Sequence, residues 1–495
     1  MLYMHWHKGA QAPAVPKDTA GSSVRKKRKV LKGHGDIMRE SASTTNTDAN
    51  LPNNDEAEQF LAANPDIESV DFLIPDINGV MRGKWGPTEA LGKAGYPGIN
   101  MPLSIFGLDI WGREVESTGI HIETGDIDGY CRAIPGRINR APWAPRPSAQ
   151  VLMSMYTETG EPCDYDPRNV LQRIVDRFTA KGLRPVTAFE LEFYLVDPAV
   201  FQRSGRMGKD HGPGPDQQQM YSLSELRGQS ELFAEIRAAA VAQGLPIDTI
   251  IKEAAPGQFE VNLKHRDDAM AAADDTVLLR RLITESAHKH GLRATFMAKP
   301  FLEWPGNGMH VHASILDAEG TNIFAGEAGD LKLQHAAAGL LDTLKDTLLL
   351  YIPGFNGYRR LQPGSYAPTR IAWGRNNRSV VVRVPASDDR SRRLEHRMSG
   401  ADANPYFVLA GVLGGMLEGL ENGRMPPPAV EGSAYNVPLP QLSDDMDDAI
   451  EDFERSDFIR RLFGPELRRI FAEIKREELK AFDNEITPLE RSTYL

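Results

Sequence analysis

The stretch that most constrains this chain is TAFELEFYLV, Thr187–Val196. Its aromatic, branched and threonine residues favour a strand, in which successive side chains alternate between faces. Glu190 and Glu192 then share one face, while Phe189, Leu191, Phe193 and Leu195 share the other. On a helix the two glutamates would diverge. Like charges side by side on a half-buried surface are costly unless positive charge stands between them. The fold must therefore bring cationic groups or ions to this strand.

The pattern recurs. GQFEVNLKH sets Glu260, Asn262 and Lys264 against Phe259, Val261 and Leu263, and GMHVHAS sets His310, His312 and Ser314 against Met309, Val311 and Ala313. SVVVRVP puts Arg383 on the face of Ser379 and Val381, and RLEHRM puts Arg393, Glu395 and Arg397 opposite Leu394, His396 and Met398. One such strand reads equally well as the wet side of an antiparallel sheet. Five of them, built with Glu, His and Arg rather than Lys, Thr and Ser, predict a curved sheet with a polar concave face. Glutamates joined by histidine suit Mg²⁺ or Mn²⁺ better than zinc. Two clusters predict two ions, with Glu190 and Glu192 divided between them. From Arg359 to Arg397 there are ten arginines and no lysine. Arginine grips carboxylate and phosphate oxygens with a planar fork that lysine lacks. Acids that hold divalent cations beside an arginine field describe a nucleoside triphosphate site and phosphoryl transfer. No Walker A pattern is present, so metal and arginine must hold the phosphates.

The remainder sets the frame. A chain of 495 residues, 41% apolar and 25% charged, has room for two or three domains with a real core. A net charge of -11 argues against broad nucleic-acid binding. Cys131 and Cys163 are the only cysteines, so no disulfide framework is expected and a reducing cytoplasm is the expected home. The longest apolar run, YFVLAGVLGGML at 406–417, reads as a buried helix rather than a membrane span. Residues 1–55 lack hydrophobic periodicity and carry RKKRK at 25–29. They read as a disordered basic extension, the alternative being a nuclear signal or nucleic-acid patch. Residues 56–160 read as a strand-rich N-terminal domain with a turn at Asn78-Gly79, and 161–495 as the catalytic domain. The latter opens with a helix that Asp166 caps, Pro167 starts and Gly182 ends.

KPFLEWPGNGMHVHAS (Lys299–Ser314) resembles the ATP-region signature of the glutamine synthetase superfamily. AFELEFY, EAAPGQFEVN, NNRSVVVRVP, RRLEHR and DANPYF resemble further blocks of that family in the same order, over roughly residues 65–495. The resemblance implies an α+β fold: an N-terminal β-grasp domain, then a catalytic domain with a curved antiparallel sheet flanked by helices. It implies ring assemblies, usually paired hexamers, with active sites between subunits. It implies ATP, two or more Mg²⁺ or Mn²⁺ ions, and γ-glutamyl phosphate as the intermediate. Glu192, Glu253 and Glu260 are similar to the ligands of one metal, and Glu190, His310 and Glu395 to those of the other. Arg360 and Arg397 resemble the clamps on substrate glutamate, whose site Gly306 lines. Arg378, Arg383 and Arg393 resemble the arginines around the transferred phosphoryl group, and His312 and Ser314 the ATP contacts.

The chain also departs from the ammonia-using members. RRLQPGSYAPTR resembles the active-site flap, but Tyr366 occupies the position of its glutamate. The block that supplies an ammonium-binding aspartate is missing, and Asp109 in GLDIWG is its nearest counterpart. Pro305 replaces an asparagine, directly after Glu303-Trp304. Tyr366 and Trp304 suit an alkyl-ammonium chain through apolar contact and cation–π attraction. These features resemble the glutamate–putrescine and glutamate–polyamine ligase branch. A glutamine synthetase using ammonia is the alternative, and a non-catalytic relative is disfavoured because all six metal positions hold Glu or His.

Overall fold

The computed structural model describes residues 55–199 and 219–495; RKKRK and the rest of the basic extension through residue 54 lie outside them. The described residues belong to one compact unit, Leu51–Leu495, which contains two sheets.

Strands β1 (Ser69–Pro75), β2 (Met81–Pro87), β3 (Ile99–Pro102), β4 (Asp128–Arg140) and β5 (Ser148–Tyr156) form the first sheet, in the order β2-β1-β5-β4-β3. A parallel β1/β5 pair lies between antiparallel neighbours, the arrangement expected of a β-grasp. Helix α1 (Asp55–Ala63) precedes it. Between β1 and β2 the Asp76 carboxylate accepts from the backbone N–H groups of Asn78 and Val80, which fixes the predicted turn.

Helix α2 (Pro167–Thr179) begins as predicted, with the Asp166 side chain accepting from Arg168 N. The second sheet follows: β6 (Arg184–Val196), β7 (Ile247–Lys252), β8 (Gln258–Leu263), β9 (Arg293–Thr295), β10 (Met309–Leu316), β11 (Trp373–Arg375), β12 (Val382–Val384) and β13 (Leu394–His396). Its order is β11-β12-β13-β10-β6-β8-β7, with β9 also paired to β6. All five polar-faced strands of the sequence lie in this one sheet. Only β11 and β12 run parallel, and the last two strands are shorter than their sequence patterns.

The apolar faces build the core. Phe189, Leu191, Phe193 and Leu195 are all buried, as are Met309, Val311 and Ala313. Helix α3 (Ala269–Lys289) packs behind β6. Helix α4 (Pro405–Asn422) is buried along nearly its whole length, which accounts for the apolar run without a bilayer. Among the described residues no helix is long and apolar enough to cross a membrane. Both cysteines are buried and free.

Candidate active site

Strand register assembles the site. His310 lies opposite Glu190, and Glu190 opposite Asn262 on its other side. Glu192 lies opposite Glu260. One step along the sheet, Arg383 faces Glu395 and Glu395 faces His312. Rows of acids, histidines and arginines thus cross five strands, β12, β13, β10, β6 and β8, on one face.

Glu190 is the hub. His310 Nδ1 lies 3.1 Å from its Oε2, and His312 Nε2 lies 2.8 Å from its Oε1. Arg393 Nε donates to His312 Nδ1 at 3.0 Å. Burial works against ionisation of Glu190, yet hydrogen bonds and charge from the two histidines hold its carboxyl well below the usual range. Glu395 is wholly buried and gripped through both oxygens by Arg383 and Arg397. There too burial raises the carboxyl, but the Arg397 charge and then the histidines outweigh it and hold it at about 2.

The other glutamates have no such relief. Burial, and then the charge of Glu253, pushes Glu192 up to about 8, although its Oε2 accepts from Gly308 N at 2.6 Å. Glu260 is pushed up to about 10 by burial and then by Glu190, Glu192 and Glu253. Glu253 is raised by burial. The ligand atoms of Glu190, Glu260 and His310 lie within 4.8 Å of one another, as do those of Glu190, His312 and Glu395. Each group is an oxygen-rich set with one imidazole, which fits Mg²⁺ or Mn²⁺; the group with Glu260 is short of positive charge, whereas Arg383 and Arg397 already supply it beside Glu395. The family resemblance implies Glu190 for one ion only and His312 for the nucleotide. In the structure Glu190 stands in both groups, and His312 completes one of them.

Arg360 is buried, with Nη1 donating to Met398 O at 3.1 Å. A side chain at Gly308 would come 2.9 Å from His310 Nε2 and 3.3 Å from Arg360 Nη2, so only glycine lets these groups converge. Arg397 is buried, Arg383 and Arg393 are half-buried, and Ser314 continues the His310–His312 face, half-buried. Arg378 is exposed and makes no hydrogen bond or ion pair with the described residues.

A glutamine synthetase catalytic domain model matches residues 164–494. The chain belongs to the glutamine synthetase family. Its similarity to the gamma-glutamylputrescine synthetase PuuA of Escherichia coli (strain K12) is 38% identity over 444 residues, 88% of this chain and 93% of that protein. The glutamate–isopropylamine ligase of a Pseudomonas species is 32% identical over 442 residues, 87% of this chain and 95% of that one. Among solved structures, apo GmaS without ligand superposes with a TM-score of 0.76 at 28% identity, covering 88% of this chain and 98% of that one.

Within this glutamine synthetase fold, the loop from Trp304 to Gly308 is held by residues the sequence reading left aside. Tyr194 Oη donates to Pro305 O at 2.7 Å, Lys299 Nζ to Trp304 O at 2.6 Å, and Gln258 Nε2 to Gly306 O at 3.0 Å. Gln258 heads the acidic strand β8, and Tyr194 sits two residues beyond Glu192 on the same face, so their place in the strands was the available signal. Half-buried Trp304 packs on the Tyr194–Phe301 cluster. Tyr366 is exposed, in left-handed backbone at φ 59°, and Ser365 Oγ donates to Arg360 O at 2.9 Å beneath it. No Asp or Glu occurs between Asp346 and Asp388. Asp109 does not stand as a free acid: it is buried, accepting from Trp111 N and Arg113 N at 2.9 Å and from Arg113 Nε at 2.7 Å. Its carboxylate holds its own turn.

Proposed function

We propose that this chain is an ATP-dependent glutamate–amine ligase whose nucleophile is a primary alkyl amine, putrescine or a longer polyamine. The observation that carries the choice of amine is the acid-free flap: an exposed tyrosine ring stands where ammonia-using members place a carboxylate. The likeness to a gamma-glutamylputrescine synthetase and a glutamate–isopropylamine ligase supports the same reading.

Glu190 with Glu260 and His310, and Glu190 with His312 and Glu395, would hold the divalent cations, flanked by Glu192 and Glu253. Bound there, the ions supply positive charge against the triphosphate. Arg360 and Arg397 hold the substrate's carboxylates. A γ-carboxylate oxygen attacks the terminal phosphorus, ADP leaves, and Arg378, Arg383 and Arg393 neutralise the moving phosphoryl oxygens. The amine, after losing a proton, displaces phosphate and forms the γ-glutamyl amide. Tyr366 and Trp304 take the alkyl chain by apolar contact and cation–π attraction. His312 and Ser314 line the nucleotide side. In this reading the active chain works in a ring of copies, and polyamine breakdown is its setting.

The test is ADP release with ATP, Mg²⁺ and glutamate, comparing ammonium, putrescine, spermidine, isopropylamine and ethanolamine. Putrescine or spermidine should exceed ammonium by at least about tenfold in kcat/KM. Ammonium outperforming every amine would overturn the proposal.

A further inference from the structure

DANPYF, Asp402–Phe407, matched a family block without receiving a role. Two of its polar side chains have plain structural duties. Asn404 accepts from Tyr406 N at the head of α4 and donates to Asp76 O at 3.0 Å, and Tyr406 Oη donates to the buried Asp274 at 2.8 Å. Asp402 differs. Its Oδ1 is sealed from solvent and has no hydrogen-bond partner.

Gly400 shows what Asp402 faces. A side chain there would lie 2.4 Å from Asp402 Oδ1, 3.2 Å from Ala298 Cβ and 3.6 Å from Arg360 Nη1, so a bare backbone at Gly400 stands beside both groups. Arg360 is held asymmetrically: Nη2 faces Gly308 and the Glu192 carboxylate, and Nη1 faces Met398 O and Asp402. Burial raises the Asp402 carboxyl, and the charges of Arg360, Arg280 and Lys475 oppose that rise. Lys475 is itself tied to Asn78 Oδ1 at 2.6 Å and Glu478 Oε2 at 2.8 Å, and Glu478 Oε1 accepts from Ile110 N at 2.8 Å. An acid with an unspent lone pair behind a buried arginine acts on it through charge, favouring the cation and offsetting it when no anionic ligand is bound.

We propose that Asp402 is a positioning residue that orients Arg360 for the substrate carboxylate from behind, beside Gly400. This rests on the proposed function, in which Arg360 grips glutamate. Asp402 touches no substrate and acts only through Arg360.

Steady-state kinetics of D402N, G400A, R360K and R360K/D402N test it, with thermal melting as the folding control. D402N should raise KM for glutamate about tenfold or more while kcat and the KM for ATP and amine stay within about threefold. In the R360K background the same change should add less than about threefold, because the residue it acts through is already altered. G400A keeps the carboxylate but sets a methyl against the pair, so it should reproduce the glutamate KM effect and decides the matter if D402N does not fold. An unchanged glutamate KM in a folded variant overturns the proposal, as does a uniform fall of all parameters or full additivity with R360K. Wild-type enzyme lacking ADP release that depends on both glutamate and an amine would instead overturn the functional reading beneath it.

Discussion

Metal-free protein should lose stability as pH rises from 6 to 8, and Glu260 should account for a measurable part. Its carboxyl is buried among three other glutamates and pushed up from 4.5 to about 10. Across that interval the native state keeps a proton that the unfolded chain has released. The contribution is therefore complete below the unfolded value and falls as pH rises toward the native one. Each pH unit in between costs on the order of 1 kcal/mol, roughly 3 kcal/mol from pH 6 to 8. At about 2.1 cal/mol/K of unfolding entropy per residue, the described part of the chain should melt about 3 °C lower for that loss. Glu260→Gln removes the titration while keeping the neutral shape, and it leaves Glu192 in the same surroundings. The assay is thermal melting in EDTA at pH 6, 7 and 8 for both proteins. The wild-type Tm minus that of E260Q should fall by about 3 °C across the series. Added Mg²⁺ should then raise the wild-type Tm at pH 8 more than that of E260Q, since the ion replaces the proton. A difference that stays level or rises with pH would refute the crowding argument.

Other perturbations separate the parts of the site. Y366E returns a carboxylate to the flap and should raise kcat/KM for ammonium relative to putrescine by at least about tenfold, read from ADP release. G306A would set a methyl 2.4 Å from Ala298 O and 2.6 Å from Arg360 Cγ, so the glutamate KM should climb about tenfold or more while ATP binding, followed by calorimetry, holds. D274A would strip Arg168, bonded at 2.9 Å and 3.1 Å, and Arg137 beside it of a buried acid; denaturant melts should show a loss of about 3–5 kcal/mol, with KM values of the remaining folded enzyme unchanged.

What the sequence disclosed follows the range of the physics. A period of two is local, so the shared faces of Glu190 with Glu192, His310 with His312, and Arg393 with Glu395 and Arg397 were all readable, as were the Asp166 cap and the buried α4 run. Pairing is not local. Nothing between Thr187 and Val196 says that β10 and β8 flank β6, and that choice makes Glu190 the member that meets both histidines. Short strands were overextended because SVVVRVP and RLEHRM have strand residues beyond the three that pair in each. The sequence does not show what Asp109 faces, because an acid in a glycine-flanked turn has the same residue type whether it is presented to a ligand or occupied by its own backbone. Only the donors from Trp111 and Arg113 distinguish the two.

The unequal treatment of Glu190 and Glu192 is the most informative outcome of that pairing. Same-face neighbours on one strand begin chemically alike, and a continuum of negative charge would have raised both. Glu190 instead receives an imidazole on each carboxylate oxygen, while Glu192 receives one backbone N–H and a glutamate opposite. The sheet thus keeps one acid charged without help and leaves Glu192, Glu253 and Glu260 crowded. Positive charge brought to that side of Glu190 relieves repulsion as well as forming bonds, whereas on the His312 side Arg383, Arg393 and Arg397 already supply it. The side with Glu260 should therefore release the more protons when Mg²⁺ binds. Buffer-dependent calorimetry of wild-type protein against E260Q checks this, and equal proton release from the two would show that the crowding does not govern binding.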